Sequence, residues 1–410
     1  MRKMSLTTWI LISMLLGLAA GLIVGKPIGN LKFLGDIFIR LVLMAVVPLV
    51  FTSVTVALAR MDLKNLGRIG GKVVAFYTIT TIIAIILGLL AANLTDPGVG
   101  IKAPAELKKP ATAPPRVDVL DVFVQMIPRN PIDSMAKMEL LGVVVFSIFL
   151  GAALSFLGKT AEKAVDFLET VRNALIRVVI ISMYYAPIGV FALMAWVTGT
   201  LGIAVILPLV KYMATVIIAI VIQTAIVVSL VVWVFAKVNP IQFYRRCWDV
   251  MIVAFTTRSS NVSLPVAMEV AETKLGVSKQ ISGFALPLGA VMNQDGMCIY
   301  QAVAAVLIAQ FFGVTFTIAD QVHLLLLIFL VGLGSAGIPS GGMVLLGVIL
   351  AGMGWPVEGI AIIAGVDAIP DMFRTTLNVL DDLSGALAVA ASENQLDRDV
   401  YYGRKQLEIA

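Results

Sequence analysis

Six apolar runs of about the length that crosses a bilayer, roughly 20 residues, occupy the chain before Val238. They are "LTTWILISMLLGLAAGLIVG" from Leu6, "FIRLVLMAVVPLVFTSVTVALA" from Phe38 and "VVAFYTITTIIAIILGLLAANL" from Val73, then "LLGVVVFSIFLGAALSFLG" from Leu140, "LIRVVIISMYYAPIGVFALMAW" from Leu175 and "VKYMATVIIAIVIQTAIVVSLVVWVFA" from Val210. Each is predominantly apolar and of spanning length, so a membrane-spanning helix is expected for each. The first follows "MRK" but is long, lacks a convincing small-residue cleavage site and leads straight into a second span, so it reads as a retained helix. After Val238 small and polar residues interrupt the apolar segments at their centres: "FTTRSSNVSLP" from Phe255, "NQDGM" from Asn293, "GLGSAGIPSGG" from Gly332 and "DAIPDMFRTTLNVLDD" from Asp367. Irregular backbone at membrane depth is tolerated only where protein buries it or water lines it. Ser259 to Pro265 and Ser335 to Gly342 each fall midway between apolar stretches too short to cross alone. Two re-entrant hairpins, each followed by a polar-interrupted span, would place an inverted repeat around a midplane site. Surface loops between ordinary spans are the alternative.

The last interrupted segment carries a charged stripe. Asp367, Asp371, Arg374, Asn378 and Asp382 are separated by four, three, four and four positions, which puts them within about a third of a helix circumference, with Thr375 and Asp381 at its margins. A salt-bridge ladder at a solvated helix end would give the same spacing. Apolar sequence on both sides, "GIAIIAGVDAIP" and "SGALAVAA", argues instead for a wet, charged strip inside a span. Asp295, Asp367, Asp371, Asp381 and Asp382 outnumber Arg374, so protons or bound cations must complete the site. Arg374 offers a planar fork for a carboxylate, Asp371 one turn away could take an ammonium group, and Asn378 can donate to a second carboxylate. Together they read as a receptor for an acidic amino acid.

Composition agrees with the pattern: 60% of the 410 residues are hydrophobic, only 13% are charged, and mean hydropathy is +0.99, which excludes an ordinary soluble domain. Arg60, Lys64, Arg68 and Lys72 lie between spans two and three, and Lys159, Lys163 and Arg172 between four and five. Those loops and the N-terminus are therefore expected in the cytoplasm. The net charge of +5 then reflects topology and implies no nucleic-acid partner. Two cysteines, Cys247 and Cys298, and the single His323 exclude a disulfide framework and a histidine metal cluster. "DPGVGIKAPAELKKPATAPPR" from Asp96 reads as a mobile outer loop.

In combination, "TTRSSNVSLP", "NQDG", "AGIP" and "DMFRTTLNVLDDLSGA" resemble the glutamate transporters and their prokaryotic aspartate-transporting homologues, within the dicarboxylate/amino acid:cation symporters. Inverted repeats are a feature of that family, so the repeat pattern and the resemblance are one argument. The resemblance implies an all-α polytopic membrane protein, a homotrimer with eight transmembrane helices and two re-entrant helical hairpins per subunit, working as an elevator-type secondary transporter of the inner (plasma) membrane. Spans one and two (1–65) and four and five (119–200) would form a scaffold. Span three (66–95) and residues 201–410, holding span six, both hairpins and spans seven and eight, would move, with 96–118 as the outer loop. By the same resemblance Ser260 and the tip from Gly337 to Gly342, with Ile338 and Pro339, close on the substrate, L-aspartate or L-glutamate. Arg374 holds its side-chain carboxylate, Asp371 its ammonium group, Thr375 and Asn378 its main-chain carboxylate, and Asp367 buttresses Arg374. Sodium would be bound by Asn293 and Asp382 at one site, by Tyr77, Thr80, Thr81, Asn293 and Asp295 at a second, and by carbonyls near the second hairpin and Val291 at a third; protons are the alternative coupling ion, and no other cofactor is implied. The threonines have a bland alternative, since threonine in a membrane helix often bonds its own backbone.

The chain departs from the sodium-coupled pattern "NMDGT" at Gln294 and Met297, the latter standing where a hydroxyl helps hold the substrate side chain, and Asp381 occupies a usual glycine position. Gln294 could supply an amide donor where a cation would act, and Asp381 a proton site, so sodium ligands would persist while sodium-coupled substrate binding is weakened or lost. A C4-dicarboxylate carrier is the nearest rival and would need no ammonium partner. A neutral amino acid carrier is disfavoured by Arg374. An intramembrane aspartyl protease built on Asp295 and Asp367 is opposed by Arg374, and no enzyme activity is expected.

Overall fold

The computed structural model describes residues 6–60, 67–99, 127–137, 140–315, 317–333, 337 and 339–405. The outer loop from 100 to 126, Lys64 and the gate residue Ile338 lie outside them. Among the described residues the chain is helical, with one isolated bridge between Val277 and Leu396. Three helical runs are long and apolar enough to cross a membrane: Arg68–Thr95, Gly142–Met183 and Ala186–Phe235.

The first half consists of α1 (Leu6–Val24), α2 (Lys32–Leu43), α3 (Val46–Arg60), α4 (Gly67–Thr95), α5 (Pro131–Ala136), α6 (Leu140–Leu157), α7 (Glu162–Met183) and α8 (Ala186–Leu201). Two spans that read as continuous are each broken. The second is divided between α2 and α3 by a turn at Met44 and Ala45, and the fifth between α7 and α8 at Tyr184 and Tyr185. In both cases a proline follows within a few residues, Pro48 and Pro187, and proline cannot donate to the preceding turn. Lys163 and Arg172, expected in a loop, lie within α7, because Glu, Lys and Arg are good helix formers and their charge does not prevent a helix. α1 packs along α8, and α3 along α6 and α7. Hydroxyls buried in these helices bond back to their own carbonyls, as Thr52 does to Pro48 and Ser147 to Val143.

The second half consists of α9 (Ile206–Ile222), which continues through π-helical turns at Gln223–Val228 and Val231–Phe235, then α10 (Pro240–Arg246), α11 (Trp248–Thr257), α12 (Ser260–Thr273), α13 (Lys279–Met292), α14 (Asp295–Phe311), α15 (Ile318–Gly332), α16 (Gly341–Gly352), α17 (Ile360–Ala364), α18 (Ala368–Ser392) and α19 (Arg398–Tyr402). The interruption expected from Ser259 to Pro265 is narrower than its composition suggested: only Arg258 and Ser259 leave the helix, and Pro265 is accommodated inside α12. Ser259 caps α12 by accepting from Val262 N. α11 and α12 pack on each other as a pair. At "NQDGM" the backbone is extended only at Asn293 and Gln294, and Asp295 begins α14.

α14 lies at the centre, buried at every position from Asp295 to Ala309, between α4, α9, α16 and α18. α4 presents two faces to two environments. Ile79, Ile83, Ile86, Leu90 and Leu94 are exposed at helical spacing, as suits lipid, while Tyr77, Thr80, Thr81 and Ala84 are buried. Gly88 lets the two helices approach closely, since a Cβ there would meet Ile299 and Ala302 at 3.0 Å. One end of α4 is tied to the end of α18 by Arg68 and Lys72, whose side chains donate to Glu393 at 2.5 and 2.6 Å. Packing therefore brings the polar faces of α4, α14 and α18 together around the break at Asn293.

Candidate functional site

The charged stripe of α18 is enclosed by protein: Asp367, Asp371, Arg374, Asn378 and Asp382 are all buried, where the sequence suggested an open, wet strip. Its residues divide between two adjoining chambers. In the first, Arg374 Nε donates to Asp371 Oδ1 at 2.7 Å and Nη1 to Asp367 Oδ1 at 3.1 Å. The guanidinium lies over the Tyr300 ring, 4.2 Å from its centroid, so it is held on both its edge and its face. Asp371 Oδ2 accepts the backbone N–H of Ser340 at 2.9 Å and lies 3.6 Å from Arg258 Nη1. Asp371 thus joins α18 to both broken segments. Arg258 and Ser340 each adopt the left-handed conformation, with φ of 54° and 57°, which costs a non-glycine residue about 1–2 kcal/mol. In return Ser340 donates its N–H to Asp371, and Arg258 brings its guanidinium within ion-pair distance of it.

These groups surround a cavity of about 10 Å³, also lined by Ser260, Gln294, Met297, Gly342, Thr375 and Asn378. That is room for about one water molecule. Ser259 Oγ donates to Gly337 O at 2.8 Å, so the two tips are joined directly across the mouth. Gly337 has φ 58°, and a Cβ at Gly342 would lie 3.0 Å from both Arg374 Nη1 and Met297 Cγ. The tip therefore uses glycine both for its turn and for its approach to the arginine.

The wall between chambers is built from amides. Asn378 Nδ2 donates to Gln294 Oε1 at 2.8 Å, Gln294 Nε2 donates to Ala290 O at 3.0 Å, and Gly296 N donates to Asn378 Oδ1 at 2.8 Å. A Cβ at Gly296 would collide with the backbone of Arg374, so α14 and α18 touch at this point.

Behind the wall, Asn293 Nδ2 donates to Asp381 Oδ2 at 2.8 Å and to Asp382 Oδ1 at 3.0 Å. Thr80 donates to Asp381 Oδ2 at 3.0 Å and Thr81 to Asp295 Oδ1 at 2.8 Å. The Asp381 carboxyl is within hydrogen-bonding reach of Asp295. The bland alternative therefore fails for Thr81, whose hydroxyl serves a carboxylate and not its own helix. Tyr77 donates to Ala285 O at 2.9 Å, and Gly289 sits where a Cβ would meet both the Tyr77 hydroxyl and Asp382. Three buried carboxylates here are served by hydroxyl and amide donors, all of them neutral. That oxygen-rich donor set suits a hard monovalent cation or protons.

Of the residues singled out in sequence, Ser260, Met297, Gly342, Asp371, Arg374, Thr375, Asn378, Gln294 and Asp367 meet at the first chamber, and Thr80, Thr81, Asn293, Asp295, Asp381 and Asp382 at the second, with Tyr77 at its edge. Three residues escaped the sequence reading. Arg258 and Tyr300 line or support the first chamber. Gln223, fully buried on a π-helical turn, donates to Asp295 Oδ2 at 3.1 Å. The available signal for Gln223 was a polar residue inside the apolar run "IVIQTAIVV", and for Arg258 a charge inside the polar interruption "TTRSS".

Residues 6–392 match the family model described as the sodium:dicarboxylate symporter family. The chain is 34% identical over 410 residues to the proton/sodium-glutamate symport protein of Geobacillus stearothermophilus, covering 97% of both chains. It is 35% identical to the proton/glutamate-aspartate symporter of Bacillus subtilis, over 89% of this chain and 90% of that one. It is 30% identical to the C4-dicarboxylate transport protein of the same organism, over 99% of each.

Proposed function

The chain belongs to the sodium:dicarboxylate symporter family, and on that premise we propose that it carries aspartate or glutamate across the inner (plasma) membrane by an elevator movement, with protons as the principal coupling ion. It is an integral membrane symporter for a dicarboxylate or acidic amino acid, and not an enzyme. The observation that carries the choice of substrate is the pairing of Arg374 with Asp371 at one cavity, a guanidinium for a side-chain carboxylate and a carboxylate for an ammonium group. Thr375 and Asn378 on the same wall can receive the second carboxylate.

α11 with α12, and α15 with α16, would be the two re-entrant hairpins among eight spans. The cavity they close would travel with α4, α9, α14 and α18 past a scaffold of α1 to α3 and α6 to α8, in a homotrimer with a cytoplasmic N-terminus. Two contacts support weakened sodium dependence. The Gln294 amide bonds Asn378 directly, where a thioether and a cation would otherwise mediate. Asp381 adds a third buried carboxylate beside Asp382, both held by Asn293, and carboxylates grouped without a cationic side chain favour taking up a proton. Asn293, Asp295, Asp382, Thr80 and Thr81 remain as sodium ligands.

The C4-dicarboxylate reading is favoured by one contact, the second guanidinium of Arg258 near Asp371. Calorimetric titration of the purified protein with L-aspartate, in choline and in high sodium, at acidic and neutral pH, separates these readings. Tight aspartate binding that ignores sodium and strengthens in acid is expected. Steep loss of affinity without sodium would restore ordinary sodium symport, and equal competition by succinate would replace the amino acid with a dicarboxylate.

A further inference from the structure

Arg258 ends α11 in a left-handed conformation that glycine would adopt at lower cost, so a side chain kept there has a use. Its guanidinium is 3% exposed and lines the same cavity as Arg374. Nε and Nη1 have no hydrogen-bond partner among the described residues, and the nearest anion, Asp371 Oδ2, stands 3.6 Å from Nη1, an ion pair without a hydrogen bond. Buried donors of a charged group are rarely left unspent. Asp371 cannot answer them further, because its two oxygens already take Arg374 Nε and the Ser340 N–H. Arg258 and Arg374 together balance Asp367 and Asp371, so the chamber itself is formally neutral and the net charge of the ligand decides how much it gains there.

We propose that Arg258 is a specificity-determining residue, which joins Thr375 and Asn378 at the second carboxylate of the substrate and sets the preference between a C4-dicarboxylate dianion and a zwitterionic acidic amino acid. The inference rests on the symport reading above. In an acidic amino acid the ammonium group partly neutralises the adjacent carboxylate and is itself drawn to Asp371. A dicarboxylate has no such offset, so its second carboxylate depends more heavily on Arg258. Asp371 acts in the opposite sense, attracting the ammonium group and repelling a dianion. The identity of residue 258 therefore tilts a chamber that can accept either class.

Affinities of the full-length protein for L-aspartate and succinate, measured by calorimetry and competition in the wild type, Arg258→Gln, Arg258→Lys and Asp371→Asn, test this. Arg258→Gln should lose at least about tenfold more affinity for succinate than for aspartate, the worth of one charged hydrogen bond. Arg258→Lys should keep most of the wild-type ratio. Asp371→Asn should shift the ratio toward succinate, and it carries the test should Arg258→Gln not fold. Equal losses for both ligands in Arg258→Gln, no change for either, or a wild type that binds aspartate and ignores succinate, overturns the proposal. A wild type that binds neither ligand fails the symport reading itself.

Discussion

Arg374 holds Asp371 and Asp367 with Nε and Nη1 and packs its face on the Tyr300 ring, while Nη2 has no partner among the described residues and is the donor open to the proposed substrate carboxylate. This arrangement depends on geometry as well as charge, because only a planar fork can keep Asp367 on one nitrogen while offering others to a carboxylate. Arg374→Lys retains the charge but not the fork. It should lower aspartate affinity by about 2–3 kcal/mol, on the order of 30- to 150-fold, in a binding titration. Asp381 poses a different question at the same scale, since it joins Thr80, Asn293 and Asp295 in one network. Asp381→Asn keeps an oxygen for Thr80 and cannot exchange a proton. Aspartate uptake into proteoliposomes should then lose its acceleration in acid, and a pH profile identical to the wild type would remove Asp381 from coupling. Most of these side chains were legible from spacing along α18 and the break at Asn293. Arg258, Tyr300 and Gln223 were not, because none belongs to a repeating polar pattern along its own element and their partners lie on helices distant in sequence.

Breaks in helices matter here as much as helices do. Arg258 and Ser259, Asn293 and Gln294, and the tip from Gly337 to Ser340 turn backbone donors and short side chains toward Asp371, Asn378 and one another. The breaks were visible as polar insertions, but their widths were not, since Pro265 and Asp295 proved helical. Local composition says that a helix is weakened, while packing decides where it gives way. The ends of α4 and α18 offer a measurable case. Hydrogen bonds from Arg68 and then Lys72 hold the Glu393 carboxyl below its usual value of 4.5. A carboxyl lowered in the folded state contributes stability that is present above the ordinary value and lost as pH falls through the lowered one. Protection of the amides just beyond the first turn of α4 from hydrogen exchange should therefore fall selectively once the pH drops below the ordinary carboxyl value of 4.5 and through the lowered one, against the wild type at neutral pH. Glu393→Gln should show the same loss at neutral pH and no further selective loss in acid.

At the scale of the whole molecule, the two chambers share α14 and α18 as common walls, so the proposed substrate and ion sites are separated by little more than the Gln294–Asn378 amide bridge. An elevator would move these walls as one unit. With spin labels at Lys163 and Lys279, on the proposed scaffold and moving parts, the distance distribution should change when aspartate is added. Labels at Ile241 and Lys279, both on the moving part, should keep theirs. Equal constancy of both pairs would count against the elevator. Hydropathy and the charged period of α18 were enough, in sequence alone, to give a helical membrane protein with an acidic-substrate site, because both patterns are local and repeat along one element. Tertiary structure alone decided that the stripe is buried, that it divides into two chambers, and that Arg258 joins the first and Gln223 the second. Those outcomes depend on which faces meet, and helices pack through side chains whose partners lie up to hundreds of residues away, where no period in the chain can announce them.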